Sequence, residues 1–149
     1  EWINRLVARP TTEASMSRAE LVATIRLGQS SGALRDREHR VALNLMALGA
    51  VLVADDRVRI TEAGGRLLAA SPEAIAGRIE ARGIGILNAE TVDRAELALV
   101  VDLSATETER LPPWREFRLF ERVVPLVHRV ESGHFPAAIL QYLRAGRNA

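Results

Sequence analysis

The sequence predicts a single α/β domain in which a mixed β-sheet carries flanking helices. Three observations support this. Short apolar and β-branched runs recur along the chain, most continuously at residues 50–54 and 97–103. Two of the runs are joined by a two-glycine turn, which makes that pair antiparallel. Apolar residues at helical spacing fill residues 41–48 and follow Gly133-His134-Phe135-Pro136, so helices must cover the sheet.

Taken in order, residues 1–20 differ from the rest and read as an N-terminal extension or tag-like segment. Trp2, Ile3, Leu6 and Val7 would form one apolar helical face, ended by Pro10-Thr11-Thr12. Met16-Ser17-Arg18 resembles a translation start. The domain proper is expected over residues 21–149. Residues 21–27 alternate as a strand, and residues 29–40 read as a polar loop that leads into a helix with Gly49 as its stop. Val51-Leu52-Val53 is a buried strand. Residues 57–61 and 66–69 flank Glu62-Ala63-Gly64-Gly65 as a hairpin, because glycine supplies the positive φ that tight hairpin turns need. Residues 79–81 and 97–103 are further strands, Pro112-Pro113 breaks the chain, and residues 117–130 are β-rich. Pro136 then stands in the first turn of a last helix. The expected core includes Val41, Leu45, Leu48, Val51, Val53, Leu99 and Val101.

Composition narrows the function. A net charge of +1 with only 4% aromatic residues is a poor match to nucleic acid or membrane surfaces. With zero cysteines there are no disulfides and no thiolate chemistry. No apolar run approaches the roughly 20 residues of a membrane span, and no secretory signal is visible, so a cytoplasmic protein is expected. All 20 basic residues are arginine; arginine grips phosphate bidentately, but no lysine is present.

Two segments concentrate chemistry. Asp55-Asp56 closes the strand 50–54, where a carboxylate can ligate magnesium or take a proton from a hydroxyl; consecutive aspartates also simply favour turns. Ile79-Glu80-Ala81-Arg82-Gly83-Ile84-Gly85-Ile86-Leu87-Asn88, read as one extended strand, puts Glu80 and Arg82 on the same face. Its alternate glycines would let backbone approach closely. As a bare pair, Glu80 and Arg82 are equally a surface ion pair. His128 and His134 have no carboxylate at helical spacing, which argues against a metal site there.

The ten-residue run resembles the signature of the HPr serine kinase/phosphorylase family, hydrophobic-E-hydrophobic-R-G-hydrophobic-G-hydrophobic-hydrophobic-N, departing from it only at the small Ala81. Ala54-Asp55-Asp56 resembles the family's A-D-D, and Glu109-Arg110-Leu111 its E-R-L segment. The resemblance extends over residues 41–143. It implies the P-loop kinase-like fold shared by HPr kinases and phosphoenolpyruvate carboxykinases, in the short single-domain form. It also implies ATP, pyrophosphate and magnesium as cofactors, the phosphocarrier HPr as partner, and a homo-oligomer, the family's hexamer. Asp55, Asp56, Arg82 and Arg110 would then be catalytic and Glu80 would face the metal.

The departures are equally specific. Aligned without gaps, the family's G-x-x-G-x-G-K-S falls on Gly32-Ala33-Leu34-Arg35-Asp36-Arg37-Glu38-His39. Only Gly32 is kept. Arg35 and Arg37 stand for glycines, Glu38 for the lysine, and His39 for the magnesium-ligating hydroxyl. The family's upstream histidine is absent, and its P-V-R-P-G-R-N loop has no counterpart at Pro125-Leu126-Val127-His128-Arg129. The resemblance therefore implies a degenerate phosphate loop with weak or no ATP-dependent kinase activity, a pseudokinase in phosphotransferase-system regulation. Two alternatives stand beside it: an active kinase in which Arg35, Arg37 or Arg40 takes the place of the lysine, with Gly32 as the retained cofactor-binding glycine, and a non-catalytic HPr-binding or assembly module.

Overall fold

The computed structural model describes residues 2–8, 20–25, 32–55, 58–70 and 77–149. In chain order the strands and helices are β1 (Trp2–Ala8), β2 (Glu20–Ile25), α1 (Gly32–Ala47), β3 (Val51–Ala54), β4 (Val58–Ala63) and β5 (Arg66–Ala70), then β6 (Arg78–Ala81), β7 (Gly85–Asn88), β8 (Arg94–Thr106), β9 (Arg115–Leu119), β10 (Arg122–Arg129) and α2 (Phe135–Ala145). Eight strands form one mixed sheet, and β6 with β7 forms a separate hairpin. The mixed α/β architecture expected from the sequence is present.

The long β8 organises the sheet. It pairs in parallel with β2 and β10 and antiparallel with β5. Its near-continuous apolar run follows from burial on both faces. The register against β2 slips between Leu21 opposite Leu97 and Val22 opposite Leu99, a bulge that inserts Ala98. One extra residue reverses the face of everything after it. Accordingly Ala95 and Leu97 join the cluster packed with β4, β5, β9 and β10, whereas Leu99, Val101 and Leu103 join the cluster under the helices.

Helix packing follows sequence spacing. Val41, Ala42 and Leu45 of α1 and Phe135, Ile139, Leu140 and Leu143 of α2 meet Leu52, Leu99 and Val101 over one face of the sheet. Pro136 occupies the first turn of α2, and Gly146 closes it with φ +75°, its N–H donating to the Tyr142 carbonyl at 2.7 Å. The β4–β5 turn lies on Gly64 (φ +58°) and Gly65 (φ +77°) as expected.

Four local expectations are corrected. Trp2–Ala8 is a strand, not a helix, and pairs with β2, β3 and β4; the tertiary ladder overrides an ambiguous apolar spacing. The helix expected from residue 41 begins at Gly32, so α1 runs through residues read as a loop. The signature decapeptide folds back on itself, with Arg82, Gly83 and Ile84 turning between β6 and β7. Gly83 serves that turn at φ +83° instead of admitting a close neighbour, since a Cβ there would meet nothing within 4 Å. Leu48 is exposed beyond the end of α1 and Val51 is half-buried, so neither belongs to the core.

Candidate functional site

The site lies where β3 ends, in keeping with the general rule that open α/β sheets hold ligands outside the carboxyl ends of their strands. Buried Leu52, Val53 and Ala54 fix that end. Asp55 follows immediately, its side chain largely covered. The β6 strand runs close by because Ile79 is buried in the helix-side cluster, which leaves its neighbour Glu80 pointing outward by strand alternation. The Glu80 backbone N–H donates to Asp55 Oδ2 at 2.8 Å, tying hairpin to strand end.

The third member comes from α1. His39 is 8% exposed, and its Nε2 lies 3.6 Å from Asp55 Oδ1 and 3.7 Å from Glu80 Oε2. An imidazole thus stands between two carboxylates that would otherwise repel across the cleft. Sequence pattern marks His39 only as a missing hydroxyl. The signal that points to it is that same position, the end of the segment aligned with the family's phosphate loop, filled by a side chain that can donate to a carboxylate.

The remaining candidates are distributed as follows. Asp56 lies outside the described residues. Arg82 is exposed in the β6–β7 turn, and Arg110 is exposed in the bend after β8. Gly32 and Arg35 fall in the first turn of α1. Arg37, Arg40, Val41 and Asn44 form one stripe of that helix and, with Arg129, Ser132 and Gly133, line a cleft of about 460 Å³. His39 is off this stripe. The structure therefore joins Asp55 to Glu80 through His39 and gathers Arg37 and Arg40 on a different face of α1.

Whether the residues suit a nucleotide with magnesium can be judged from the backbone. A phosphate loop presents free N–H groups that wrap the anion. Residues 32–39 are helical instead, so beyond the first turn their N–H groups are committed to i→i−4 bonds. Among the described residues no group of three histidines or carboxylates has metal-holding geometry. The segment does not fit a triphosphate–magnesium complex in the manner the resemblance implies.

The family profile of the HPr Serine kinase C-terminal domain matches residues 38–113, which include His39, Asp55, Glu80, Arg82 and Arg110. An HPr kinase/phosphorylase of Clostridium tetani is 34% identical over 83 residues, which make up 55% of this chain and 27% of that protein. The chain thus spans about a quarter of the length of that relative. The solved structure of the Hpr(Ser) kinase/phosphatase from Coxiella burnetii superposes with a TM-score of 0.72 at 17% identity, covering 97% of this chain and 88% of the other; at that identity the likeness concerns the fold. Half the chain matching one profile, with the signature hairpin and its acidic partner inside the match, decides the assignment: the chain belongs to the HPr serine kinase C-terminal domain family.

Proposed function

We propose that this domain acts in phosphotransferase-system regulation as a degenerate relative of the HPr(Ser) kinases, with weak or no ATP-dependent kinase activity. The observation that carries the reading is α1. Its helix begins at Gly32 and extends through the segment aligned with the phosphate loop, and it delivers an imidazole, not a hydroxyl, to Asp55 and Glu80. At the preceding position Glu38 stands in place of the lysine. Between unit charges 4 Å apart at an effective dielectric near 20, exchanging attraction for repulsion changes the interaction by roughly 8 kcal/mol. HPr remains the partner of choice for the domain, either as a poor substrate or as the ligand of a non-catalytic module.

The test is calorimetric titration with ATP–Mg²⁺ beside a phosphotransfer assay on purified HPr. The expected outcome is no saturable nucleotide binding below millimolar concentration and no phosphoserine on HPr. Restoring the loop by Arg35→Gly, Arg37→Gly, Glu38→Lys and His39→Ser should raise ATP affinity. Micromolar binding by the parent, with turnover in the range of about 1–100 s⁻¹ usual for kinases, overturns the reading. It would favour the second one, an active kinase gripping phosphate through arginines, which draws support from Arg37, Arg40 and Arg129 lining a single cleft.

A further inference from the structure

Away from the His39 site, the chain leaving β8 builds a second, unassigned cavity. Glu107 starts the segment, its side chain only 7% exposed, and its N–H donates to the Arg129 carbonyl at 2.8 Å. The backbone N–H groups of Glu109 and Thr108 each reach Oε1 at 3.1 Å. The Arg115 guanidinium pairs closely with Oε2 and lies 3.5 Å from Oε1. These contacts, led by the Glu109 N–H and opposed by desolvation, hold the carboxyl below its ordinary range. His128 Nδ1 stands 3.9 Å from Oε2.

Pro112, Pro113 and Trp114 then cross toward α2. Arg147 fixes them there, donating to the Pro112 carbonyl and stacking 4.3 Å from the centre of the Trp114 ring. Beneath this bridge lies a cleft of about 130 Å³. Its walls are mainly apolar, with Leu99, Leu126, Val127, Phe135 and Ile139 among them, while Glu107, Arg115, His128, Tyr142 and Arg147 line it as well. Burial raises the Tyr142 pKa against the pull of Arg147, so its hydroxyl stays neutral at physiological pH.

We propose that this cleft binds a small monocarboxylate whose body is one aromatic ring or a branched aliphatic group of that size. Volume sets the body: at about 130 Å³ the cleft is slightly smaller than the dry apolar cavity of about 150 Å³ that accommodates a benzene ring, so one ring or a smaller branched group fills it and a nucleotide is several times too large. Charge sets the head. The lining holds one carboxylate, two guanidiniums and an imidazole. Arg115 pairs with Glu107, and Arg147, held by the Pro112 carbonyl and by the Ala149 carbonyl at 2.8 Å from its Nε, is the second cation of the lining. Few polar groups converging on an apolar pocket is the usual form of a small-molecule site.

The test uses the full chain, ¹⁵N-labelled, titrated with benzoate, benzyl alcohol and benzylamine. Benzoate should shift the amides of residues 126–128 and 138–142 saturably, and at least tenfold more tightly than benzylamine. Ala138→Phe, which puts a ring into the cleft, should weaken benzoate at least tenfold. Arg147→Gln, an exchange that leaves the part-buried Glu107–Arg115 pair intact, should weaken it threefold to tenfold and bring benzoate toward benzyl alcohol. Should Ala138→Phe fail to fold, Arg147→Gln alone decides. Equal binding of benzoate and benzylamine, shifts spread outside these segments, or parent-like benzoate binding by the folded variants would overturn the proposal.

Discussion

Leu99 tests the architecture most directly. It is 0% exposed, lies just after the bulge of β8 opposite Val22, and belongs to the helix-side cluster. Leu99→Ala removes three carbons from a site walled by two helices and the sheet. Such truncations cost about 3–5 kcal/mol, which for a domain of this length lowers the melting temperature by roughly 6–20 °C. Leu99→Asp adds a second cost. An unpartnered carboxylate in that core must stay protonated, and against an unfolded pKa near 3.9 this costs about 4 kcal/mol at pH 7 but only about 1.5 at pH 5. Asp102, three residues on, is buried with partners: its Oδ1 accepts the Ser104 N–H at 2.9 Å and the Ser104 hydroxyl at 2.6 Å, which the aspartate at 99 would lack. The sum at pH 7 approaches the whole stability of a typical domain, about 5–15 kcal/mol. Urea and thermal unfolding by circular dichroism at the two pH values should therefore show the aspartate variant well below the alanine variant at pH 7 and nearer to it at pH 5. An aspartate variant melting within about 2 °C of the parent, or a gap indifferent to pH, would refute the placement of β8 and its phase.

Other expectations are as concrete. His39→Ala should destabilise by about 1–2 kcal/mol, mostly through Asp55, since Glu80 is the more exposed partner; in a double-mutant cycle the coupling to Asp55→Asn should exceed that to Glu80→Gln. Glu107 titrates below its ordinary 4.5 in the folded protein, so its contribution is present above pH 4.5 and lost as acid carries the pH down through the lower folded value. Glu107→Gln should lower the melting temperature at pH 7 and flatten its fall below pH 4.5. The β9–β10 turn places Phe120 at φ +48° and Glu121 at φ +59°, a left-handed conformation that costs a side-chain-bearing residue about 1 kcal/mol or more; Glu121→Gly should raise stability by about 0.5–1 kcal/mol, readable as a melting shift of a few degrees.

That turn also explains where the sequence is opaque. Residues 117–130 read as one β-rich stretch because no glycine or asparagine marks positions 120 and 121, and only the Phe117–Val124 pairing reveals a hairpin. The Gly64-Gly65 turn is legible for the opposite reason: the residues that the backbone conformation demands are the residues present. Trp2–Ala8 fails differently, since four apolar side chains within six residues satisfy either period and the deciding partners lie at Glu20–Ile25 and beyond. The bulge at Ala98 is likewise silent. A strand buried on both faces shows no alternation, so a reversal of phase leaves no trace in it.

The candidate site divides along the same physical line. Asp55 and Glu80 are legible because each belongs to a run whose spacing is unusual as a whole. His39 is a single side chain, and its meaning depends on the rotation of α1. Two carboxylates brought together at a strand end need positive charge or a donor between them. A bound cation can supply it, and so can a residue of the chain. Here an imidazole from α1 lies within 3.7 Å of both, and the backbone of Glu80 satisfies the other oxygen of Asp55. Such a cluster holds α1, β3 and β6 together through the chain's own side chains and backbone. A helix that begins at Gly32 and carries that contact midway along its length is also committed against opening into a loop, because unwinding its first half would withdraw His39 from both carboxylates. Arg35 and Arg37 in the helix and His39 in the contact thus act as one structural feature, so the loop restoration proposed above requires the glycines, the lysine and the hydroxyl to be introduced together.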